Sequence, residues 1–169
     1  ICGRICNHRC EDACNRGLLD EPVNIRALKR FVTDKVYAEP RQARPPAERL
    51  YDHKVAIIGA GPCGLTAAQD LAQQGYAVTI FEALPVAEYR LPTAIIEREI
   101  ADILDLGIDL RLNTRVDDLD QVFEEGYDAV LISVGAHEGI RLPIPGADLD
   151  GVLINTRFLR DVRLDGFKS

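Results

Sequence analysis

An aliphatic run followed at once by three spaced glycines constrains the fold more than any other feature of this sequence. Residues 55–58, Val-Ala-Ile-Ile, have the length and composition of a buried strand, and residues 59–64, Gly-Ala-Gly-Pro-Cys-Gly, follow directly. Residues 65–74 then predict a helix that ends at Gly75, and residues 76–82 predict a second strand. A strand, a helix and a strand in about thirty residues form a β-α-β unit with parallel strands.

Further elements continue this alternation along the chain. The pattern predicts a helix over residues 93–106, a strand over 109–112 and an aliphatic strand over 128–134. Strands that alternate with helices are typical of an α/β fold, a Rossmann-like domain with a parallel sheet covered on both faces.

The glycine spacing predicts a dinucleotide site at the end of the first strand. Gly59 permits the tight turn, Gly61 lets the backbone approach a pyrophosphate, and Gly64 lets the helix pack close to the strand. The helix N-terminus would hold the phosphates, and Glu82, at the end of the second strand, would accept hydrogen bonds from a ribose. A glycine-rich turn without a ligand is the alternative. The spacing alone leaves both NAD and FAD open.

The overall composition excludes several classes of protein. The 169 residues are 47% hydrophobic and 28% charged, which is typical of a globular protein with a sizeable core and excludes disordered and membrane-spanning chains. Twenty Lys and Arg against twenty-seven Asp and Glu give a net charge of −7. An acidic chain is a poor general binder of nucleic acid, so we expect neither a nucleic-acid partner nor a membrane span.

Four of the five cysteines lie within the first fourteen residues, and only Cys63 lies elsewhere. Soft thiolates suit an iron–sulfur cluster or zinc, and disulfides are a further alternative. No signal peptide is visible, so a reducing cytoplasm is expected. If the segment were one helix, its thiols would drift around the axis, so a single compact site from all four is not assured. These candidate ligands are Cys2, Cys6, Cys10 and Cys14.

Composition also divides the chain into three segments. Residues 1–38 hold the cysteines and a predicted helix with an apolar stripe. Residues 39–53 are rich in proline and poor in apolar side chains, which indicates a linker or a strap across another domain. Residues 54–169 contain the predicted parallel sheet.

The cysteine segment and its surroundings resemble a known family. Residues 2–14 and 21–31 are similar to the N-terminal iron–sulfur domain of the glutamate synthase small-subunit family, a module shared with the N-terminal part of dihydropyrimidine dehydrogenase. The similarity continues through the glycine loop, Glu-Tyr-Arg-Leu-Pro at residues 88–92 and Leu-Pro-Ile-Pro-Gly at residues 142–146. It implies that residues 1–38 are the C-terminal part of an α-helical [4Fe-4S] domain and residues 54–169 the N-terminal part of an FAD-binding domain.

The resemblance also implies the cofactor contacts, and it favours FAD over NAD. Ile5 would lie against the flavin, and the backbone of Val116 would meet the adenine. Cys63 stands where relatives carry Ala, so a small packing residue is expected there rather than a redox thiol. The implied FAD contacts are Gly59, Ala60, Gly61, Pro62, Cys63, Gly64, Glu82, Ala83 and Arg90.

Two [4Fe-4S] clusters are implied in the same way. Cys6 and Cys10 would bind one cluster and Cys14 the other, with the remaining thiolates upstream of Ile1. Lys29 stands where relatives supply a Gln or Glu ligand, and a protonated lysine cannot bind iron, so Cys2 is the natural substitute.

The implied activity is electron transfer between NAD(P)H, FAD and the clusters, with no catalytic acid or base. NAD(P)H would act through a further domain expected after Ser169, and other redox subunits or fused domains would be the partners. A nonredox nucleotide-binding scaffold with a structural zinc site is the alternative. The chain is also shorter than the family pattern between Ala87 and Glu88. We expect that a loop of the protein is missing from the sequence there, and a true deletion that weakens the flavin site is the alternative.

Overall fold

A computed structural model describes residues 2–83 and 92–165. The position between Ala87 and Glu88, where we expect a missing loop, lies outside these residues. The chain divides into two compact units. Of the described residues, 2–43 and 92–101 form the first unit, and 44–83 and 102–165 form the second. These limits differ from the boundaries expected from composition, because residues 39–53 are divided between the units and residues 92–101 join the first.

Helices and parallel strands alternate as the sequence predicts. Within the described residues the helices are α1 (Cys2–Ile5), α2 (Arg9–Asp12), α3 (Ile25–Ala38), α4 (Pro62–Gln73), α5 (Thr93–Leu104), α6 (Leu119–Glu124) and α7 (Asn155–Asp165), with a 3-10 turn at Asn15–Leu18. The strands are β1 (Lys54–Ile58), β2 (Ala77–Glu82), β3 (Asp109–Leu112) and β4 (Ala129–Ile132).

The second unit is built around a parallel sheet in the order β3-β2-β1-β4, which confirms the predicted α/β class. Ile57 on β1 pairs with Ile80 on β2 and with Leu131 on β4. Ile57 and Ile80 are fully buried, because β1 and β2 are the central strands. Phe81 packs edge-on to Tyr127 with ring centroids 5.8 Å apart. The core of this unit therefore lies on the two strands that carry the glycine loop and Glu82.

Helix α4 begins at Pro62, three residues earlier than the predicted start at residue 65. Proline fits the first helical turn because its fixed φ is already helical and the missing N–H has no intrahelical partner there. The last three residues of the glycine pattern therefore form the first turn of the helix.

A strap of residues 44–53 runs along the second unit. The Arg44 N–H donates to the Asp105 carboxylate at 2.8 Å, and the Leu50 N–H donates to the Gly75 carbonyl at 3.0 Å. The Tyr51 ring stacks on Tyr76, with centroids 4.7 Å apart. These contacts hold residues 44–53 of the proline-rich segment in place without regular secondary structure.

In the first unit, α1 packs closely on α3. A Cβ at Gly3 would lie 2.6 Å from the Arg30 Cα, so only glycine permits this approach. The Arg4 guanidinium donates to the Asp34 carboxylate at 2.5 Å and adds an ion pair between the two helices. The first cysteine turn is thereby attached to the middle of α3.

Arg98 on α5 holds the C-terminal end of α3. Its guanidinium donates to the carbonyls of Val36 at 3.2 Å, Tyr37 at 2.7 Å and Glu39 at 3.0 Å, and it lies 4.9 Å from the Tyr37 ring centroid. The Tyr37 hydroxyl donates to the Glu99 carboxylate. A cation at the carbonyls of a helix C-terminus is favourable, and this contact joins residues 92–101 to the first unit.

Across the described ranges, the helices are all too short or too polar to cross a bilayer.

Candidate functional site

The glycine loop lies at the carboxyl end of β1, between β2 and β4. Gly59 has a φ of +105°, and a Cβ there would lie 2.6 Å from the Ser133 carbonyl oxygen. Its N–H donates to the Phe81 carbonyl at 2.8 Å. Both the conformation and the close approach require glycine, as the sequence predicts.

Gly64 is required for packing between the helix and the loop. A Cβ at Gly64 would lie 2.0 Å from the Gly59 carbonyl oxygen and 2.6 Å from Ser133 Oγ. The first turn of α4 therefore rests directly on the end of β1, which brings the N-terminus of the helix beside the loop.

Gly61 differs from the other two glycines because the protein itself does not require it. Its φ of −69° is ordinary, and the nearest atom to a Cβ there would be the Ser133 carbonyl oxygen at 4.0 Å. Gly61 directly precedes α4, where the N–H groups of Cys63 and Gly64 have no intrahelical acceptor. Bare backbone beside unpaired amides fits the pyrophosphate of a dinucleotide.

Glu82 fastens the loop to the end of β2. Its Oε2 accepts the Ala60 N–H at 2.7 Å, and the side chain is half-buried. The carboxylate therefore lies at the end of the second strand beside the loop, and its role in ribose binding stays a prediction.

Ser133, directly after β4, is a residue that the sequence analysis did not assign to the site. Its Oγ donates to the Ile58 and Gly59 carbonyls, both at 3.0 Å. It thereby fixes the turn at which β1 enters the loop. The signal was present in the run Ile132-Ser133-Val134-Gly135 at the end of a predicted strand, but its contact with Gly59 depends on β4 lying beside β1.

Further expected FAD contacts in the second unit are Ala83, Val116 and Cys63. Ala83 is exposed directly after β2, and the Val116 side chain packs against the core cluster that contains Phe81. Cys63 is exposed in the first turn of α4, so the expectation that it packs into the protein is wrong. Arg90 lies outside the described residues.

The cysteine segment consists of separate short turns, α1 and α2 and the turn that begins after Cys14, rather than one helix. Cys6 Sγ accepts the His8 N–H at 3.4 Å. Backbone N–H groups of Val23 and Arg16 donate to the Cys14 sulfur and lower its pKa below the ordinary value. Amides directed at sulfur stabilise thiolates, which are the form of cysteine that binds iron.

The described side chains do not complete a metal site. Among them, no group of three His, Cys, Asp or Glu residues is close enough to hold a metal ion, and the Cys2 side chain is not described. Lys29 is exposed on α3, and Ile5 is exposed on α1 in the first unit. The donor chemistry of Cys6, Cys10 and Cys14 fits iron, but these residues supply only part of a ligand set.

Two protein-family models match the chain. The model described as pyridine nucleotide-disulphide oxidoreductase matches residues 24–124, and the model described as dihydropyrimidine dehydrogenase domain II, 4Fe-4S cluster, matches residues 1–41. These matches confirm the expected classes of cofactor, a flavin or nicotinamide dinucleotide and a [4Fe-4S] cluster.

Several curated proteins are similar to this chain in sequence. The beta subunit of NADP(+)-dependent formate dehydrogenase from Moorella thermoacetica is 43% identical over 98% of this chain and 28% of its own length. The beta subunit of NADPH-Fe(3+) oxidoreductase from Geobacter sulfurreducens is 37% identical over 88% of this chain and 24% of its own length. The small chain of glutamate synthase [NADPH] from Mycobacterium tuberculosis is 34% identical over 93% of this chain and 34% of its own length.

The chain thus spans about a third or less of the length of these curated relatives. The family model covers more than half of the chain, and the cysteine segment, the glycine loop and the relatives agree with it. The chain belongs to the pyridine nucleotide-disulphide oxidoreductase family and, within it, to the flavin and iron–sulfur oxidoreductases that resemble the glutamate synthase small subunit.

Proposed function

We propose that this chain is part of an oxidoreductase subunit that passes electrons between NAD(P)H, FAD and [4Fe-4S] clusters. The space at Gly61 is the observation that carries the proposal. Gly59 and Gly64 are needed by the fold, whereas the space at Gly61 is open and suits a ligand that lies against bare backbone.

The residues of the loop would bind the adenosine half of FAD. The Cys63 and Gly64 amides and the positive end of the α4 dipole offset the charge of the pyrophosphate. The Ala60 N–H holds the Glu82 carboxylate beside the loop, and this carboxylate would accept hydrogen bonds from the ribose hydroxyls. FAD, when bound, supplies the chemistry that links a two-electron carrier to one-electron carriers.

The cysteines near the start of the sequence would bind the clusters. Cys2, Cys6, Cys10 and Cys14 supply thiolates, and the remaining ligands lie outside the described residues. The amides directed at Cys6 and Cys14 would remain hydrogen-bonded to the ligating sulfurs, and such bonds tune the reduction potential of a cluster.

The names of the relatives also indicate what kind of partner this chain has. Two of them are named beta subunits and one a small chain, so we infer that this chain acts with other redox subunits or fused domains. NAD(P)H would bind to a domain outside this chain. A reducing compartment, the cytoplasm, suits free cysteines that bind iron.

Cofactor analysis of the intact protein tests the proposal. The purified protein should contain FAD, iron and acid-labile sulfide, and Gly61→Val should abolish flavin binding because its branched side chain fills the pyrophosphate space. Thr66→Val, an exposed position one turn along α4, is the matched control and should retain flavin. Full flavin occupancy in Gly61→Val would overturn the site, and stoichiometric zinc in a colourless protein would favour the scaffold alternative.

A further inference from the structure

Glu11 lies between Cys10 and Cys14, yet its side chain is largely withdrawn from solvent, with 17% of its surface exposed. One carboxylate oxygen, Oε1, accepts the Arg26 N–H at 2.8 Å. The other, Oε2, lies 3.1 Å from Nδ1 of His8. A glutamate in a cysteine segment thus makes a contact with a helix fifteen positions further along the chain.

That helix is α3, and Glu11 completes its N-terminal cap. Asn24 Oδ1 accepts the Ala27 N–H at 3.2 Å, which is the ordinary local cap. The Arg26 N–H of the same turn is bound by Glu11 instead. A carboxylate at this end of a 14-residue helix is also favoured by the helix dipole, so the contact has both a hydrogen-bonding and an electrostatic contribution.

The backbone of Glu11 is joined to the cysteines on both sides. The Cys14 N–H donates to the Glu11 carbonyl at 3.1 Å, and the Glu11 N–H donates to the His8 carbonyl at 2.8 Å. The His8 N–H in turn donates to Cys6 Sγ. A displacement of Glu11 would therefore move Cys14 directly and Cys6 through one residue.

We propose that Glu11 is a positioning residue, whose carboxylate docks the segment carrying Cys6, Cys10 and Cys14 onto the N-terminus of α3. The docking itself needs no cofactor. Its consequence for iron binding rests on the proposed function, because the spacing of the thiols then determines how well a cluster is held.

Thiol alkylation in the metal-free intact protein tests the docking. Glu11→Ala removes the acceptor and should increase the alkylation rate of Cys14, measured for each cysteine by mass spectrometry. Glu11→Gln removes the same charge, which by itself favours the Cys14 thiolate, but it keeps an oxygen acceptor for the Arg26 N–H. Cys14 should therefore be alkylated more slowly in Glu11→Gln than in Glu11→Ala. Asp12→Asn, at an exposed neighbouring carboxylate, is the control for a change of local charge. Equal rates in Glu11→Ala and the wild type, or equally high rates in both Glu11 variants, would overturn the proposal.

Iron retention under a chelator separates this proposal from the function it rests on. Glu11→Ala should lose iron affinity by about 10- to 100-fold, the usual effect of removing a group that orients metal ligands, and Glu11→Gln should restore most of it. A wild-type protein without iron would contradict the proposed function, and the alkylation rates would still decide the role of Glu11. Wild-type iron retention in Glu11→Ala would show that docking does not control the cluster.

Discussion

The two units of the chain are stabilised in opposite ways. In the second unit, β1, β2 and α4 bury a continuous set of aliphatic and aromatic side chains, with Ile57 and Ile80 fully inaccessible. In the described part of the first unit, Ile96 is the one apolar side chain that is buried, and 9% of its surface remains exposed. Leu28, Phe31 and Val32 of α3 are more than half exposed. The helices and turns of this unit are joined largely by polar contacts of Arg4, Glu11 and Arg98.

This difference shows which site is formed before its ligand arrives. The glycine loop is fixed by backbone and Ser133 contacts on a buried sheet, so its shape does not depend on FAD. The cysteine turns have no comparable core, and small domains of this kind are commonly completed by a metal centre. We therefore expect mutations in the loop to separate stability from binding, whereas in the first unit the two should change together.

The largest effect is expected from Gly64→Ala compared with Gly61→Ala. The added Cβ at Gly64 would lie 2.0 Å from a backbone oxygen that cannot move without shifting β1, so the free energy of unfolding should fall by about 3 kcal/mol. At Gly61 the same methyl group meets open space, and stability should change by less than about 0.5 kcal/mol while FAD affinity falls. Urea unfolding and FAD titration of the two variants measure both quantities.

Gly61→Ala and Gly64→Ala are controls for each other, because both changes add one methyl group within the same turn. Equal loss of stability in the two variants would mean that the loop is not preformed, and the contrast between the units would then fail.

A smaller effect is expected from Arg98→Ala in the first unit. Loss of three hydrogen bonds to the end of α3 should cost about 2 kcal/mol, and Arg98→Lys should recover only part of it because an ammonium cannot reproduce the planar fork. Amide hydrogen exchange should become faster in α3 and remain unchanged in β1 and β2. Equal acceleration in both units would show that polar contacts do not act locally in the first.

The fold of the second unit could be predicted from sequence because its signals are local. The signals are an aliphatic strand, glycines at fixed spacing and an acidic residue at a strand end. Each of them indicates the conformation of a few neighbouring residues. The contacts of Glu11, Arg98 and Ser133 could not be predicted in the same way. Each joins residues separated by 15 to 75 positions, and none belongs to a repeating pattern. The early start of α4 was a local error, because Pro62 was counted with the loop rather than with the first turn.

The smallest expected effect concerns the Cys14 thiol. Its measurement tests whether the first unit favours the thiolate form of Cys14 before a cluster binds. The Val23, Arg16 and Gly17 N–H groups lower the Cys14 pKa, while desolvation and the Glu11 charge oppose them. A pKa that is lowered in the folded state stabilises that state fully above the unfolded pKa, and this stabilisation is lost as pH falls through the folded value.

Ultraviolet thiolate absorbance of the metal-free protein should therefore rise at lower pH in the native state than in urea. Cys14→Ser should remove that early part of the titration. Because Cys14 is bonded by three backbone amides, the shift should survive high salt, which screens charges but leaves short hydrogen bonds in place. Identical native and unfolded titrations would show that the amides are directed at Cys14 only when a metal binds. The first unit would then lack even a partly formed site, and the contrast with the glycine loop would be larger than the structure indicates.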